Sequence, residues 1–309
     1  MRILAPILLA IFFGWYTFSK LPIGQLVPYF KNADYGWIAL GVTCGLLSHL
    51  SRAYRWRFQL RPLHYDISFP NSAMAVFVAY LANFGIPRSG EVLRAAVLAN
   101  YEEVPFEKAF GTIVAERVID ALVLLMIIGI TLILQYDFIS ETLQSALDLQ
   151  KLIFMAIAGG LALVAIIWYL SHSKSKLAAR AKTFFKGLLD GVRAIYMMEY
   201  KWPYLLHTAF IWAMYVLMFY VTVFAVEDLS NVSLGAILVA FIAGSFAIVA
   251  TNGGIFVYPL AISTALSLFG VEEASGLAFG WISWVSQTLM IIVFGTLSFI
   301  LLPVFNRKK

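Results

Sequence analysis

Charge is scarce in this chain and cysteine almost absent. Asp, Glu, Lys and Arg make up 13% of the 309 residues, against about 25% in soluble domains. Hydrophobic residues make up 61%, and the mean hydropathy is +0.85. No long stretch is polar enough to stand in water, so residues 1–309 are predicted to form a single membrane domain. The lone Cys44 excludes an intrachain disulfide and a cysteine-based metal site. The histidines His49, His64, His172 and His207 show no metal-ligand spacing, and H-E-x-x-H is missing. There is no G-x-x-x-x-G-K-[ST] phosphate loop and therefore no ATPase within the chain, and no G-x-S-x-G elbow. No catalytic residue, metal or cofactor is assigned, an enzyme is not expected, and neither is a nucleic-acid partner.

What is present is a series of apolar runs. A membrane-crossing helix needs about 20 mostly apolar residues. The candidate spans are 3–19, 36–51, 109–135, 152–170, 203–226 and 276–303. The first ends at Phe18-Ser19-Lys20-Leu21-Pro22, which is not a small-x-small cleavage site, so a retained helix is predicted rather than a signal peptide. Two further apolar regions are interrupted. Residues 72–100 break at Asn83-Phe84-Gly85-Ile86-Pro87-Arg88-Ser89-Gly90, and residues 233–270 break at Thr251-Asn252-Gly253-Gly254. The piece 72–84 has 13 residues, about 20 Å of helix against a hydrocarbon core of about 30 Å. Both regions are read as re-entrant hairpins, with ordinary short-helix pairs as the alternative of equal crossing parity. The predicted fold is all-α and polytopic, with six full spans and two re-entrant hairpins.

Basic residues set the orientation. With the N-terminus inside, fifteen Lys and Arg fall on the inner segments 52–71, 101–108, 171–202 and 304–309, against Lys20, Lys31 and Lys151 outside. Both termini are therefore predicted to be cytoplasmic, in a cell (inner or plasma) membrane. Residues 3–135 and 152–303 each run span, span, hairpin, span, in opposite orientations. Such inverted repeats are a transporter plan, although no residue identity joins the halves. Segment 171–202 alternates apolar and basic residues at helical spacing and reads either as an amphipathic helix on the cytoplasmic leaflet or as an ordinary basic loop. Trp15, Tyr16, Trp37, Trp56, Trp168, Tyr169, Trp202 and Tyr204 suit an aromatic belt. Gly41-x-x-x-Gly45 is a weak helix-packing signal.

Ionisable residues at membrane depth are costly and need partners. The first break carries Arg88, Glu91 and Arg94, and the following span carries Glu116, Arg117 and Asp120. Arg88, Glu91 and Arg94 stand three apart, and Glu116 and Asp120 four apart, so each set shares a helix face. Gly85 can supply a positive φ after the first half-helix, and Pro87 suits the start of the second. The free N–H groups of that start, with Arg88 beside them, would attract a phosphate or carboxylate. Alternatively, the six charges neutralise one another and only lock the hairpin. Asn83, and on the other half Asn252, Gly253 and Gly254, complete the candidate walls. Arg52, Arg55, Arg57 and Arg61 close the second span. Arg52 and Arg55 share a face that either meets lipid phosphates or forms a snorkelling basic flank.

Asn83 to Arg94 resembles the P-x-R-x-G-E-x-x-R segment of the lysylphosphatidylglycerol synthetase transmembrane (flippase-like) family, with Pro87 and Arg88 adjacent here. Arg55-Trp56-Arg57 resembles its basic motif, Glu116-Arg117-x-x-Asp120 its next polar helix, and Thr251-Asn252-Gly253-Gly254-Ile255 its Gly-Gly turn. The likeness covers nearly the whole chain. It departs where the family has Gly and then an acid: Phe256 and Pro259 stand there, with Tyr258 nearby. The fused members' aminoacyl-transferase domain has no counterpart after residue 303, so a stand-alone member is expected. The resemblance implies a flippase or scramblase for a polar- or phosphate-headed lipid, with membrane lipids as partners and a homo-oligomer or a lipid-synthesis enzyme as further ones. The alternatives are an intramembrane lipid-modifying enzyme or lipid-presenting subunit for a transferase, and a small-solute secondary transporter.

Overall fold

A computed structural model describes residues 22–86, 89–138, 197–251 and 253–307, with Ser19, Ser140, Leu161, Trp168, Tyr169, His172, Ser173, Ser175 and Ala179. The predicted spans 3–19 and 152–170 and segment 171–202 lie outside the described residues, apart from those isolated positions and 197–202. Pro87, Arg88 and Asn252 also lie outside them. The chain divides into two compact units, residues 1–114 with 199–309, and residues 115–198.

Among the described residues every regular element is helical: α1 Ile23–Asn32, α2 Tyr35–Leu60, α3 Phe69–Gly85, α4 Ser89–Tyr101, α5 Phe106–Leu134, α6 Lys201–Val223, α7 Leu234–Ala250, α8 Val257–Ser267 and α9 Glu273–Phe305. Short 3-10 turns follow α2 (Arg61–Leu63) and α6 (Glu227–Leu229). By length and composition α5, α6 and α9 can each cross a membrane. Helix starts follow local chemistry. Asp34 accepts from the Gly36 N–H at 2.8 Å to cap α2, Ser233 accepts from the Ala236 N–H to cap α7, and Pro70 sits in the first turn of α3.

Three expectations are corrected. The second helix does not stop at residue 51; it runs on to Leu60, and two of the arginines that suggested an aqueous flank, Arg52 and Arg55, are absorbed into the interior. Gly85 takes no positive φ. It is the last residue of α3, and the chain turns through extended Ile86, whose N–H donates to the Ala82 carbonyl. Residues 23–32, expected as outer loop, form α1, with Leu26 packed on Leu277, Ala278 and Trp281 of α9.

The two interrupted regions are antiparallel helix pairs opening at opposite ends of the first unit. At one end, Asn71 at the start of α3 donates to Glu102 just after α4, at 2.6 Å, and Ser68 also donates to Glu102. Asn71 and Asn306, after α9, exchange side-chain bonds of 2.9 Å. At the other end, Ser275 near the start of α9 donates to Asp228 ahead of α7 at 2.7 Å, and Ser263 of α8 donates to the Glu273 carbonyl. The Asp34 N–H before α2 donates to Ala225, just past α6. Between the two ends the turns meet: a Cβ on Gly253 would lie 3.0 Å from the Phe84 ring.

Bare glycines set this packing. On α9, Gly280 and Gly276 let α8 approach, with a Cβ there lying 2.5 Å from Pro259 Cα or 3.0 Å from Ser263 Cα. Further along α9, Gly295 faces Leu81 and the Phe77 carbonyl of α3. Gly41 and Gly45 of α2 meet Thr222 and Met218 of α6, and Gly45 also meets Gln287 of α9. Small residues thus let backbones close up where no water drives association.

Candidate functional site

The second half of α2 turns polar while remaining buried. Arg52 is 2% and Arg55 0% exposed, although isolated buried cations are strongly disfavoured. Arg55 donates to the Thr208 hydroxyl at 2.7 Å and lies 5.1 Å from the centre of the Tyr204 ring; both partners are on α6. Arg52 donates to the Tyr215 hydroxyl at 3.3 Å, and Tyr80 of α3 stands 3.4 Å from that oxygen. His49, one turn before Arg52, is buried against Tyr80, with ring centres 4.4 Å apart. Ser51 and His207 are hydrogen-bonded at 2.8 Å. Arg57 and Arg61 instead reach the surface, where both lie within 4 Å of Asp66. The run of four arginines is therefore two inner and two outer residues.

Trp56 joins α2 to α4 and α5. Its indole N–H donates to the Thr112 hydroxyl at 2.8 Å, and the Arg94 guanidinium lies 4.0 Å from its ring centre. A desolvated cation on an indole face is worth about 2 kcal/mol or more. Around it Leu60, Ile67, Ala75, Ala95, Leu98 and Ala109 form a dry core. Trp56 and Tyr204 are fully buried, so neither belongs to an interfacial belt; Trp202, 69% exposed, does suit one.

At the first break, Asn83 accepts from the Gly90 N–H at 2.8 Å, and Ser89 donates to the Ile86 and Ala82 carbonyls. Gly90 is held so close to α3 that a Cβ would collide with the Ala79 carbonyl. One of the N–H groups expected to bind an anion is thus already engaged, and Asn83 acts as a clamp. Glu91 follows on the half-buried face, and Arg94 turns inward.

At the second break, Gly253 and Gly254 take φ of +70° and +78°, and Thr251 accepts from the Gly254 N–H at 3.1 Å. Trp284 of α9 donates to the Gly253 carbonyl at 2.8 Å. Phe256 takes φ +62°, ψ −38°, and the Val257 N–H donates to the Ile255 carbonyl, a strained γ-turn. The position where the resemblance expected glycine thus keeps a backbone that glycine favours. Tyr258 is buried beside Gly244, with its hydroxyl 3.1 Å from Ser283. It is a packing residue of α7, α8 and α9.

Glu116, Arg117 and Asp120 belong to the second unit. Glu116 is buried, and Arg117 pairs with Asp120 at 3.7 Å, one turn along α5. Among the described residues no group of three His, Cys, Asp or Glu could hold a metal. Thr208 and Tyr215 carry no mark in the sequence, and Trp56, Tyr204 and His49 stand out there only as belt aromatics, as part of the basic motif, or as a histidine without metal spacing. Helical spacing offered the one available signal: His49, Arg52 and Trp56, and Tyr204 and Thr208, recur at three or four residues and so share faces.

A comparison with protein families matches the family described as the lysylphosphatidylglycerol synthase TM region to residues 3–295. A UPF0104 membrane protein of Methanocaldococcus jannaschii is 25% identical over 166 residues, 52% of this chain and 46% of that protein. The glycosyltransferase AglD of Haloferax volcanii is 26% identical over 110 residues, 35% of this chain and 18% of that protein. The matched stretch thus spans less than half the length of either relative. No solved structure matches.

Proposed function

The chain belongs to the family of the lysylphosphatidylglycerol synthase transmembrane region, and from that premise we propose that it is a flippase or scramblase moving a phosphate-headed lipid between leaflets. The observation that carries this function is the pair of interrupted helices that open at opposite ends and meet at Phe84 and Gly253, with Arg52, Arg55 and Arg94 buried in the same unit. Helices α3 and α7 have 17 residues each, α4 has 13 and α8 has 11. They reach about 25, 20 and 17 Å, short of a hydrocarbon core of about 30 Å. In a bilayer each pair enters and returns to its own side, giving six spans and two re-entrant hairpins as an inverted repeat, with both termini cytoplasmic. Arginine suits the headgroup because its planar fork binds phosphate oxygens two at a time. No chemical step is assigned to the chain.

The test is leaflet exchange of fluorescent anionic and zwitterionic phospholipids in liposomes holding the purified protein. Exchange above empty liposomes is expected. Replacing one buried arginine, Arg55→Gln or Arg94→Gln, should slow it roughly ten- to a hundredfold, as for the loss of one charge-assisted hydrogen bond. Arg88→Ala and Glu91→Ala examine the first break in the same assay. No exchange for any lipid, or full exchange in every variant, overturns the proposal.

The likeness to a glycosyltransferase favours one second role, that of a subunit presenting a lipid to a partner lipid-synthesis enzyme. Product formation that needs this chain while leaflet exchange is absent would establish it.

A further inference from the structure

Outside the buried arginines, the end of α2 carries a second cationic site. Arg57 and Arg61 stand four apart on one helix face and converge on a single oxygen. The Arg57 NH2 lies 3.2 Å, and the Arg61 Nε 3.6 Å, from Asp66 Oδ1. Both guanidiniums rest on aromatic faces. Arg57 lies 5.5 Å from the Tyr54 ring centre, and Arg61 lies 5.9 Å from Phe58 and 5.7 Å from Tyr200. Tyr54 and Phe58 are themselves in edge contact at 5.6 Å, and Phe58 meets Tyr200 at 6.2 Å. The rings thus form a continuous strip that holds the two forks in place.

The carboxylate that meets both cations, Asp66, is 68% exposed at its side chain. Asp66 comes from the loop between α2 and α3, so a mobile anion from outside meets the same two cations at little cost. The hydrogen bond from Arg57, followed by the charges of Arg57 and Arg61, holds the Asp66 carboxyl below the usual carboxylate range. The cradle therefore favours an anion. Aromatic rings under cations at a helix end are what a membrane–water interface selects, with apolar faces inward and charge at headgroup level.

We propose that Arg57 and Arg61, braced on Tyr54, Phe58 and Tyr200, form a binding site for the phosphate of an anionic phospholipid, which Asp66 occupies as an internal substitute until the lipid displaces it. The site needs this end of α2 to lie at a membrane surface, but it does not depend on transport.

Native mass spectrometry of the full chain released from phosphatidylcholine nanodiscs containing some phosphatidylglycerol tests this. The wild type should retain phosphatidylglycerol above its share in the disc. Asp66→Asn should raise retention roughly two- to fivefold, the size of the competition from one exposed ion pair. The double variant Arg57→Gln/Arg61→Gln should return retention to the disc's share. Arg57→Lys/Arg61→Lys, which keeps the charge and loses the fork, should fall between. Unchanged retention in the folded double glutamine variant overturns the proposal. If that variant does not fold, an Asp66→Asn protein that gains nothing does the same. A further arm adds inorganic phosphate to all-phosphatidylcholine discs. Arginine-dependent phosphate binding there, without enrichment of phosphatidylglycerol, assigns the cradle to a free anion and overturns the lipid. Leaflet exchange measured alongside should be unaffected by Asp66→Asn, so failure here is separable from failure of the transport function.

Discussion

Trp56 carries three duties on one side chain: it fills the dry core, donates to Thr112, and faces Arg94. These duties separate by substitution. Trp56→Phe keeps a ring and loses the N–H bond, and Thr112 still donates to the Ala109 carbonyl, so a loss of about 1 kcal/mol is expected. Trp56→Ala also removes the face under Arg94 and opens a cavity, for about 3–5 kcal/mol. Unfolding in detergent micelles measures both, and similar losses in the two variants would contradict the division. Phe256 invites the reverse of the usual preference. Alanine ordinarily beats glycine, but at φ +62° a Cβ costs about 1–2 kcal/mol. Both Phe256→Gly and Phe256→Ala lose the ring contact with Trp281, so the glycine variant should be the more stable by about that amount. The sequence placed an unexpected Phe there, but backbone strain has no signature in one chain's letters.

At the level of elements, the interruptions were legible because both are written in helix-breaking residues. Asn83 to Gly90 and Thr251 to Gly254 fall at or between the helix ends found. The extension of α2 to Leu60 was not legible. Four arginines in ten residues look like a helix leaving the membrane, and only the partners on α6 explain why two of them stay inside. Those partners are a Thr and Tyr residues far along the chain, each unremarkable in an apolar helix. Glycines divide in the same way, since composition does not say which of them touch a backbone. Gly280→Leu should drive α8 off α9, because even a Cβ would lie 2.5 Å from Pro259 Cα; a loss of about 3 kcal/mol or more is expected from such overpacking. Gly111 lies within α5 with nothing inside 4 Å of its Cβ position, so Gly111→Ala should stabilise by up to about 1 kcal/mol. Thermal unfolding of the two variants in one detergent gives the comparison, and equal effects would mean that close approach on α9 does not hold the pair together.

For the molecule as a whole, what matters is which of its joints must move. The helix pairs are tied at their open ends by polar side chains, Asn71 with Glu102 and Asn306 on one and Ser275 with Asp228 on the other. Between their turns, among the described residues, the Phe84 ring lies against Gly253. A polar knot is dear to break where water is scarce, whereas a ring on a glycine can slide aside. If a headgroup passes between the turns, the turns part while the bases stay joined. Cysteine pairs test this in a Cys44→Ala background, which removes the native thiol. A short thiol-reactive bridge between Phe84→Cys and Gly253→Cys should abolish leaflet exchange, and reduction of a cleavable bridge should restore it. The same bridge between Asn71→Cys and Asn306→Cys, whose native side chains are 2.9 Å apart, should leave exchange within about twofold of the unbridged protein, since a contact that never opens costs nothing to fix. Exchange that survives the bridge at the turns and stops with the bridge at the base would place the moving joint at the Asn71–Asn306 end instead, with Glu102 and its partners as the gate.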